Sequence, residues 1–160
     1  MVATSVVERA AAERFLDGGS IVLVGASDDP KAFSSTAMKE LVAHGCDVVP
    51  VNPSRPDVAG RTCYPDVASV PGDPDRVLVM VPADRAVQVV RDCIATGIRR
   101  IWLFRGVGGP GATSSEATQL CHDAGIELID GACPLMFLQP VGWFHRVHRS
   151  IRRRRGALVA

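Results

Sequence analysis

The sequence predicts an α/β fold: a doubly wound parallel sheet of five strands, flanked by helices. Two observations carry this prediction. Five short runs are almost entirely apolar and rich in β-branched residues, which is typical of strands buried on both faces of a parallel sheet. Between these runs lie segments whose apolar residues recur at helical spacing, and glycines close most of these segments.

The strands are expected where the apolar runs are bounded by glycine, proline or polar residues. In chain order the runs cover 20–24, 47–51, 76–81, 98–104 and 126–129. A connection rich in proline and glycine, 52–72, separates the second run from the third. With right-handed crossovers, a nucleotide-type, Rossmann-like sheet has the strand order 3-2-1-4-5, and we adopt that order by analogy.

Four helices are expected around these strands. They cover 5–17, a segment from Phe33 to the residue before Gly45, a segment from Asp84 to the residue before Gly97, and 113–125. The pair Gly18-Gly19 would end the first helix as a C-terminal cap. Asp84 can cap the third helix, and the Thr-Ser-Ser-Glu sequence at 113–116 forms a capping box for the fourth.

Length and composition indicate one soluble, cytoplasmic domain. Of the 160 residues, 47% are hydrophobic and 22% are charged, as in ordinary globular chains. No apolar run approaches the roughly 18 residues that a membrane span needs. Charged residues among the first alanines argue against a signal peptide. The expected organisation is a Rossmann-like domain at 1–139 and a basic helix or tail at 140–160.

The net charge of +1 combines an acidic body with a basic tail. The first 140 residues hold 12 basic and 17 acidic residues, whereas the last 20 hold six arginines and no acid. Trp143, Val147 and Ile151 would form the apolar side of a basic amphipathic helix. Such a helix could bind nucleic acid, an anionic membrane or a partner, or remain solvated. Sequence-specific reading of nucleic acid is not expected, because no known motif for it occurs.

The side chains that usually perform catalysis form no recognisable constellation. The cysteines are odd in number and contain no Cys-x-x-Cys, which favours reduced, mostly buried thiols over a disulfide framework or a zinc site. They are Cys46, Cys63, Cys93, Cys121 and Cys133. Cys133 would follow the fifth strand, where it is either a structural thiol or a redox-active one. We assign no catalytic residue and no metal site.

A ligand is expected at the carboxyl ends of the strands, where open α/β sheets bind their ligands. Three loops should meet there, at 25–31, 51–53 and 81–84. Gly25 permits a sharp turn and a close approach of the backbone to a ligand. Lys31 adds positive charge, and Ser34 lies at a helix N-terminus, which favours anions. Together these residues indicate a ligand that carries phosphate.

The same loops fit NAD less well. The fingerprint Gly-x-Gly-x-x-Gly is absent after Gly25, and Asn52 stands where an acid would bind the ribose. A Walker loop is also missing, because the chain contains no Gly-Lys-Ser or Gly-Lys-Thr.

Several spaced motifs resemble the small stand-alone coenzyme A-binding domain proteins. They are similar, too, to the coenzyme A-binding domains of succinyl-CoA synthetase and ADP-forming acyl-CoA synthetases. The motifs are Gly25-Ala26-Ser27, Val51-Asn52-Pro53, Val81-Pro82-Ala83, Cys63-Tyr64-Pro65 and Cys133-Pro134, within residues 15–138. Where many relatives have a glutamine after Trp-Leu, this chain has Phe104, so the resemblance does not define the pantetheine end of the pocket.

The resemblance implies coenzyme A or a short acyl-CoA as the ligand and assigns twelve residues to its binding. These are Gly25, Ala26 and Ser27 at the phosphates, Lys31 and Ser34 beside them, Val51, Asn52 and Pro53 near the adenosine, and Val81, Pro82, Arg85 and Val87 along the ligand near the third strand. We therefore expect a non-catalytic module that stores, senses or delivers the cofactor, with a protein partner or a homodimer left open.

Two alternatives remain open at this point. The first is an NAD(P)-linked or acyl-transfer enzyme that uses the same pocket. The second is an interaction protein whose arginine-rich tail contacts nucleic acid or a membrane.

Overall fold

The computed structural model describes residues 9–106 and 111–138, and within them it confirms the predicted α/β class. The helices are α1 (Arg9–Leu16), α2 (Phe33–Ala43), α3 (Ala83–Ala95) and α4 (Ser115–Asp123). The strands of the parallel sheet are β1 (Ile21–Val24), β2 (Val48–Val51), β5 (Arg76–Val79), β6 (Arg100–Phe104) and β7 (Glu127–Ala132). Two short strands, β3 (Asp57–Val58) and β4 (Arg61–Thr62), pair as an antiparallel hairpin, and a 3-10 helix follows β7 at Pro134–Phe137.

The basic helix predicted for 140–160 and the start of the first predicted helix lie outside the described residues. In the part of the chain that is described, no helix has the length and hydropathy to cross a membrane.

The strand order corrects the prediction at the third strand. The sheet runs β2-β1-β5-β6-β7, which is 2-1-3-4-5 in terms of the five predicted strands rather than 3-2-1-4-5. The free edge of β2 is covered instead by the hairpin and the residues that follow it. The Tyr64 amide donates to the Pro50 carbonyl over 3.1 Å, and the Arg61 guanidinium donates to the Val48 carbonyl over 3.2 Å. Because that edge is taken, the third long strand crosses back and pairs with β1.

The hydrophobic core has two halves, one on each face of the sheet. Side chains alternate along a strand, so neighbours such as Val77 and Leu78 enter opposite halves. Helices α1 and α2 cover one half, and α3 and α4 cover the other. Phe15 of α1 meets Trp102 edge-on with ring centroids 5.4 Å apart. All four residues of β1 and of β5 are buried, as expected of strands covered on both sides.

The end of α1 has a different cause from the predicted glycine cap. Gly18 does not adopt a positive φ. Instead the buried Arg76 side chain donates from Nη1 to the carbonyls of Phe15, at 2.9 Å, and Arg14, at 3.3 Å. A Cβ on Gly18 would lie 1.4 Å from that Nη1 atom. Gly18 therefore makes room for a guanidinium that caps the helix.

The caps of α3 and α4 are each displaced from the predicted residue. Pro82, not Asp84, is the N-cap of α3, and Asp84 lies in the first turn. The N-cap of α4 is Ser114, one residue after the start of the predicted capping box, and its side chain accepts from the Ala117 amide over 3.1 Å. The Glu116 carboxylate, which a capping box would use to accept from the N-cap amide, accepts instead from Arg91 on α3 over 2.8 Å.

Candidate functional site

The carboxyl ends of β1, β2 and β5 lie side by side, so the three predicted loops do meet. The Gly25 amide donates to the Val51 carbonyl over 3.0 Å, and the Met80 amide donates to the Val24 carbonyl over 2.9 Å. The chain leaves β1 toward α2 on one face and leaves β5 toward α3 on the other. This divergence makes the gap between β1 and β5 the topological switch point, where open α/β sheets bind ligands.

Gly25 is required at this point for two reasons. Its φ is +91°, a left-handed conformation that side chains disfavour. A Cβ there would lie 2.6 Å from the Met80 carbonyl oxygen and 3.0 Å from Cγ1 of Val81. The first loop therefore passes directly against the backbone that follows β5, which draws Gly25 and Val81 into one surface.

Asn52 holds the first and second loops together. Its Nδ2 donates to the Ala26 carbonyl over 2.9 Å, and its Oδ1 accepts from the Ser54 amide over 2.9 Å. An ionised aspartate has no hydrogen to donate and could form only the second of these bonds. The side-chain amide of Asn52 therefore positions the loop at Ala26, a role that an aspartate at this position could not fill.

The first loop is ordered as it enters α2. The Asp29 amide donates to the Ser27 hydroxyl over 3.1 Å, and the Lys31 amide donates to the Asp29 carboxylate over 2.9 Å. Ala32 is the N-cap, and no side chain of the described residues caps the helix there. Ser34 is buried in the first turn, whereas Lys31 is exposed. A first turn without a side-chain cap, beside an exposed lysine, suits an anionic group such as phosphate.

The other predicted site residues lie at the rim. Pro53 and Pro82 are exposed at the ends of their loops. Arg85 is exposed in the first turn of α3, on the face of the sheet opposite α2. Val87 is half-buried against the core beneath α3, so much of its side chain packs within the fold.

Sequence reasoning missed an ion pair across the mouth of the site. Arg55, two residues after the second loop, contacts Asp28, in the first. Because the two loops were already expected to converge, opposite charges on them were the available signal. The pair ties the connection after β2 to the first loop.

A groove of about 380 Å³ adjoins the site between α2 and the β3–β4 hairpin. It was not predicted, because the hairpin strands are two residues long and leave no periodicity in the sequence. Its lining residues come from the first loop, one face of α2 and the hairpin: Ser27, Asp28, Ser35, Met38, Lys39, Val42, Ala43, Ala59 and Arg61. Ser27 belongs both to this groove and to the predicted phosphate loop.

The thiols are not arranged for nucleophilic chemistry at the site. Cys46, Cys63, Cys93 and Cys121 are buried, and no cysteine of the described residues forms a disulfide. Burial raises the pKa of Cys93 to about 12 and that of Cys121 to about 11, and it raises the pKa of Cys63 as well. Cys133 is half-buried and directly follows β7, at the place predicted for it. Within residues 9–106 and 111–138, no cluster of histidine, cysteine and acid could hold a metal.

Fold and site together define a Rossmann-like α/β domain with a candidate ligand surface at its switch point. A family model described as CoA binding domain matches residues 19–139, so the chain belongs to that family. Among curated proteins, the alpha subunit of an ADP-forming acetate–CoA ligase II from Pyrococcus furiosus is 28% identical over 125 residues, which is 74% of this chain and 27% of the relative. An ADP-forming acetate–CoA ligase I from Archaeoglobus fulgidus is 26% identical over 126 residues, which is 76% of this chain and 18% of the relative. The chain therefore spans about a quarter or less of the length of these ligases.

Solved structures of small proteins match over nearly their whole length. A hypothetical protein from Pyrococcus horikoshii OT3 aligns with a TM-score of 0.76 and 28% identity, covering 84% of this chain and 92% of that protein. A conserved hypothetical protein from Pyrococcus furiosus aligns with a TM-score of 0.68 and 32% identity, covering 74% of this chain and 98% of that protein. The fold thus occurs both alone and as part of larger chains.

Proposed function

We propose that this chain binds coenzyme A or a short acyl-CoA at the carboxyl edge of its sheet and performs no reaction alone. The observation that carries the proposal is the junction of three features at the switch point: the Gly25 turn, the uncapped start of α2 and the exposed Lys31. A diphosphate placed there would meet backbone amides, a helix N-terminus and a cation at once. Membership of the family supports coenzyme A as the source of that diphosphate.

The groove beside the first loop would take the nucleotide end of the ligand. Its volume, about 380 Å³, lies within the usual range for small-molecule pockets. Met38, Val42 and Ala59 give it apolar walls suited to an adenine ring, while Lys39 and Arg61 border it with positive charge. Ser27 belongs both to the groove and to the loop proposed to bind the phosphates. An adenine in the groove and a diphosphate at that loop would therefore lie on one continuous surface.

NAD is the less suitable ligand for the same surface. A dinucleotide-binding site grips the ribose through an acid after the second strand. Here that place is held by Asn52, whose amide group is already bonded to Ala26 and Ser54. The alternative of an NAD(P)-linked enzyme would therefore need a different ribose contact.

The cellular role that we propose is storage, sensing or delivery of the cofactor. In the ligases the related segment is a minor part of a longer chain. A stand-alone domain of this kind would present bound coenzyme A to a reaction performed by another protein. The acyl-transfer alternative would require a nucleophile at the site, and burial raises the pKa of Cys63, the thiol nearest to Asn52.

Thermal unfolding with separate ligands tests the binding proposal. Coenzyme A at about a hundred times its dissociation constant should stabilise the fold by about 2.7 kcal/mol, which raises the midpoint by roughly 5–10 °C for a domain of this size. Dephospho-coenzyme A should give a smaller shift and NAD none. A shift with NAD and none with coenzyme A would overturn the proposal.

A pair of variants assigns the binding to the switch point. Lys31→Ala should weaken coenzyme A binding about tenfold, because it removes a charge-assisted contact to phosphate. Arg99→Ala removes an exposed cation next to the amino end of β6, at the opposite edge of the sheet, and should leave the affinity unchanged. Equal weakening by both variants would indicate non-specific attraction of an anion.

A further inference from the structure

The carboxyl edge of the sheet changes in chemical character from one end to the other. On the side of β1 and β2 it carries the exposed cation Lys31, and Arg55 lies beside it in an ion pair with Asp28. On the side of β6 and β7, next to the exposed Arg105, it carries the apolar side chains of Phe104, Ala132 and Phe137, which are half-buried against the core beneath α1 and α2. A ligand that is anionic at one end and apolar at the other would match both sides.

A stacked aromatic pair is partly exposed at the apolar end. The rings of Phe33 and Phe104 stack with centroids 5.3 Å apart and an interplanar angle of 26°. Phe33, the first residue of α2, remains 46% exposed although it is large and apolar. Its exposure leaves part of a flat aromatic surface open to solvent, which costs free energy unless something covers it.

The pair lies within reach of a ligand held at the switch point. Phe33 follows Lys31 by two residues, and Phe104 ends β6, which is two strands away from β1. Adjacent strands are about 4.8 Å apart, so the carboxyl ends of β1 and β6 are separated by about 10 Å along the edge. The pantetheine arm, a chain of more than ten bonds of about 1.5 Å each, spans this gap.

We propose that the Phe33–Phe104 pair holds the acyl group of a thioester and favours apolar, flat acyl groups such as aromatic ones. This inference rests on the proposed function, since it requires coenzyme A at the switch point. Aromatic rings stack on one another with a gain beyond simple burial, whereas acetyl groups are too small to cover the ring. The preferred ligand is thus an acyl-CoA with an aromatic or other bulky apolar acyl group, bound more tightly than acetyl-CoA or free coenzyme A.

Titration calorimetry on the full chain with coenzyme A, acetyl-CoA and benzoyl-CoA tests the inference. Benzoyl-CoA should bind roughly 3- to 10-fold more tightly than coenzyme A, in keeping with the worth of one aromatic contact. In Phe33→Ala the ratio of the two affinities should fall close to one. Phe33→Leu keeps apolar area but removes the flat ring, so its ratio should lie between those of the wild type and Phe33→Ala.

Met136→Ala is the matched control, because Met136 is a large exposed apolar residue on the 3-10 helix, at 74% exposure. It should keep the wild-type ratio. Equal affinities for benzoyl-CoA and coenzyme A in the wild type would overturn the inference while leaving the proposed function intact, as would a ratio that survives Phe33→Ala. Failure of coenzyme A itself to bind would overturn both.

Discussion

At the scale of single residues, the site depends on positions where one atom more would not fit. Gly25 combines a φ of +91° with a Cβ position 2.6 Å from the Met80 carbonyl oxygen. Because neither the backbone of β1 nor that of the neighbouring loop can move without breaking the sheet, the two costs add. The residue that opens the proposed phosphate site is thus also needed for the fold.

We expect Gly25→Ala to lower the free energy of unfolding by at least about 2 kcal/mol, since a left-handed alanine alone costs about 1–2 kcal/mol. Gly60→Ala separates the two causes, because Gly60 has a φ of +75° but no atom within 4 Å of its Cβ position. Urea unfolding should show a smaller loss for Gly60→Ala than for Gly25→Ala. Equal losses would mean that the contact with Met80 contributes nothing.

At the scale of elements, α1 is joined to the sheet through a charge. The Arg76 guanidinium is buried; besides capping α1, it contacts Asp75 over 3.0 Å. Burial alone would raise the pKa of the Asp75 carboxyl. The hydrogen bond from Arg76 and the charges of Arg76 and Arg100 together outweigh burial and lower this pKa below its usual value. The helix end and the first residue of β5 therefore share one network.

Adjacent glycines test this network. Gly18→Ala would displace the guanidinium and leave a buried charge without its partners, which should cost about 3 kcal/mol of stability. Gly19→Ala meets nothing within 4 Å and should change stability by less than about 0.5 kcal/mol. Thermal unfolding of the two variants decides the matter: similar midpoints would contradict the role given to Gly18.

The elements also show which parts of the fold the sequence can predict. Strands β1 and β5 were predictable because burial on both faces leaves a local apolar run. The strand order was not, because it depends on Tyr64 and Arg61 closing the edge of β2, contacts between segments more than ten residues apart. In the site, the turn at Gly25 is likewise a local signal, whereas the groove depends on a hairpin too short to recognise.

At the scale of the whole molecule, the two halves of the core report on cooperativity through their thiols. Cys46 lies in the half beneath α1 and α2, and Cys93 and Cys121 lie in the half beneath α3 and α4. These two halves share the sheet, since every central strand contributes side chains to both. If the sheet is one cooperative unit, neither half opens without the other.

Alkylation of the thiols at pH 8, followed by mass spectrometry, measures whether the two halves of the core open together. Cys133 is half-buried and should react first. Cys93 and Cys121 should react at least about a hundredfold more slowly, because burial blocks access and because pKa values of about 12 and about 11 leave little thiolate at that pH. Raising the pH from 7 toward 10 should also lower the free energy of unfolding, since these thiols ionise in the unfolded chain near pH 8.5 but stay protonated in the fold.

In mild urea, the opening rates obtained from the labelling of Cys46 and of Cys93 should be equal, because a single unfolding transition would expose both thiols. Faster labelling of Cys93 and Cys121 than of Cys46 would show that α3 and α4 detach from a sheet that remains folded, and the face that carries Arg85 and Val87 would then be the mobile side of the ligand site.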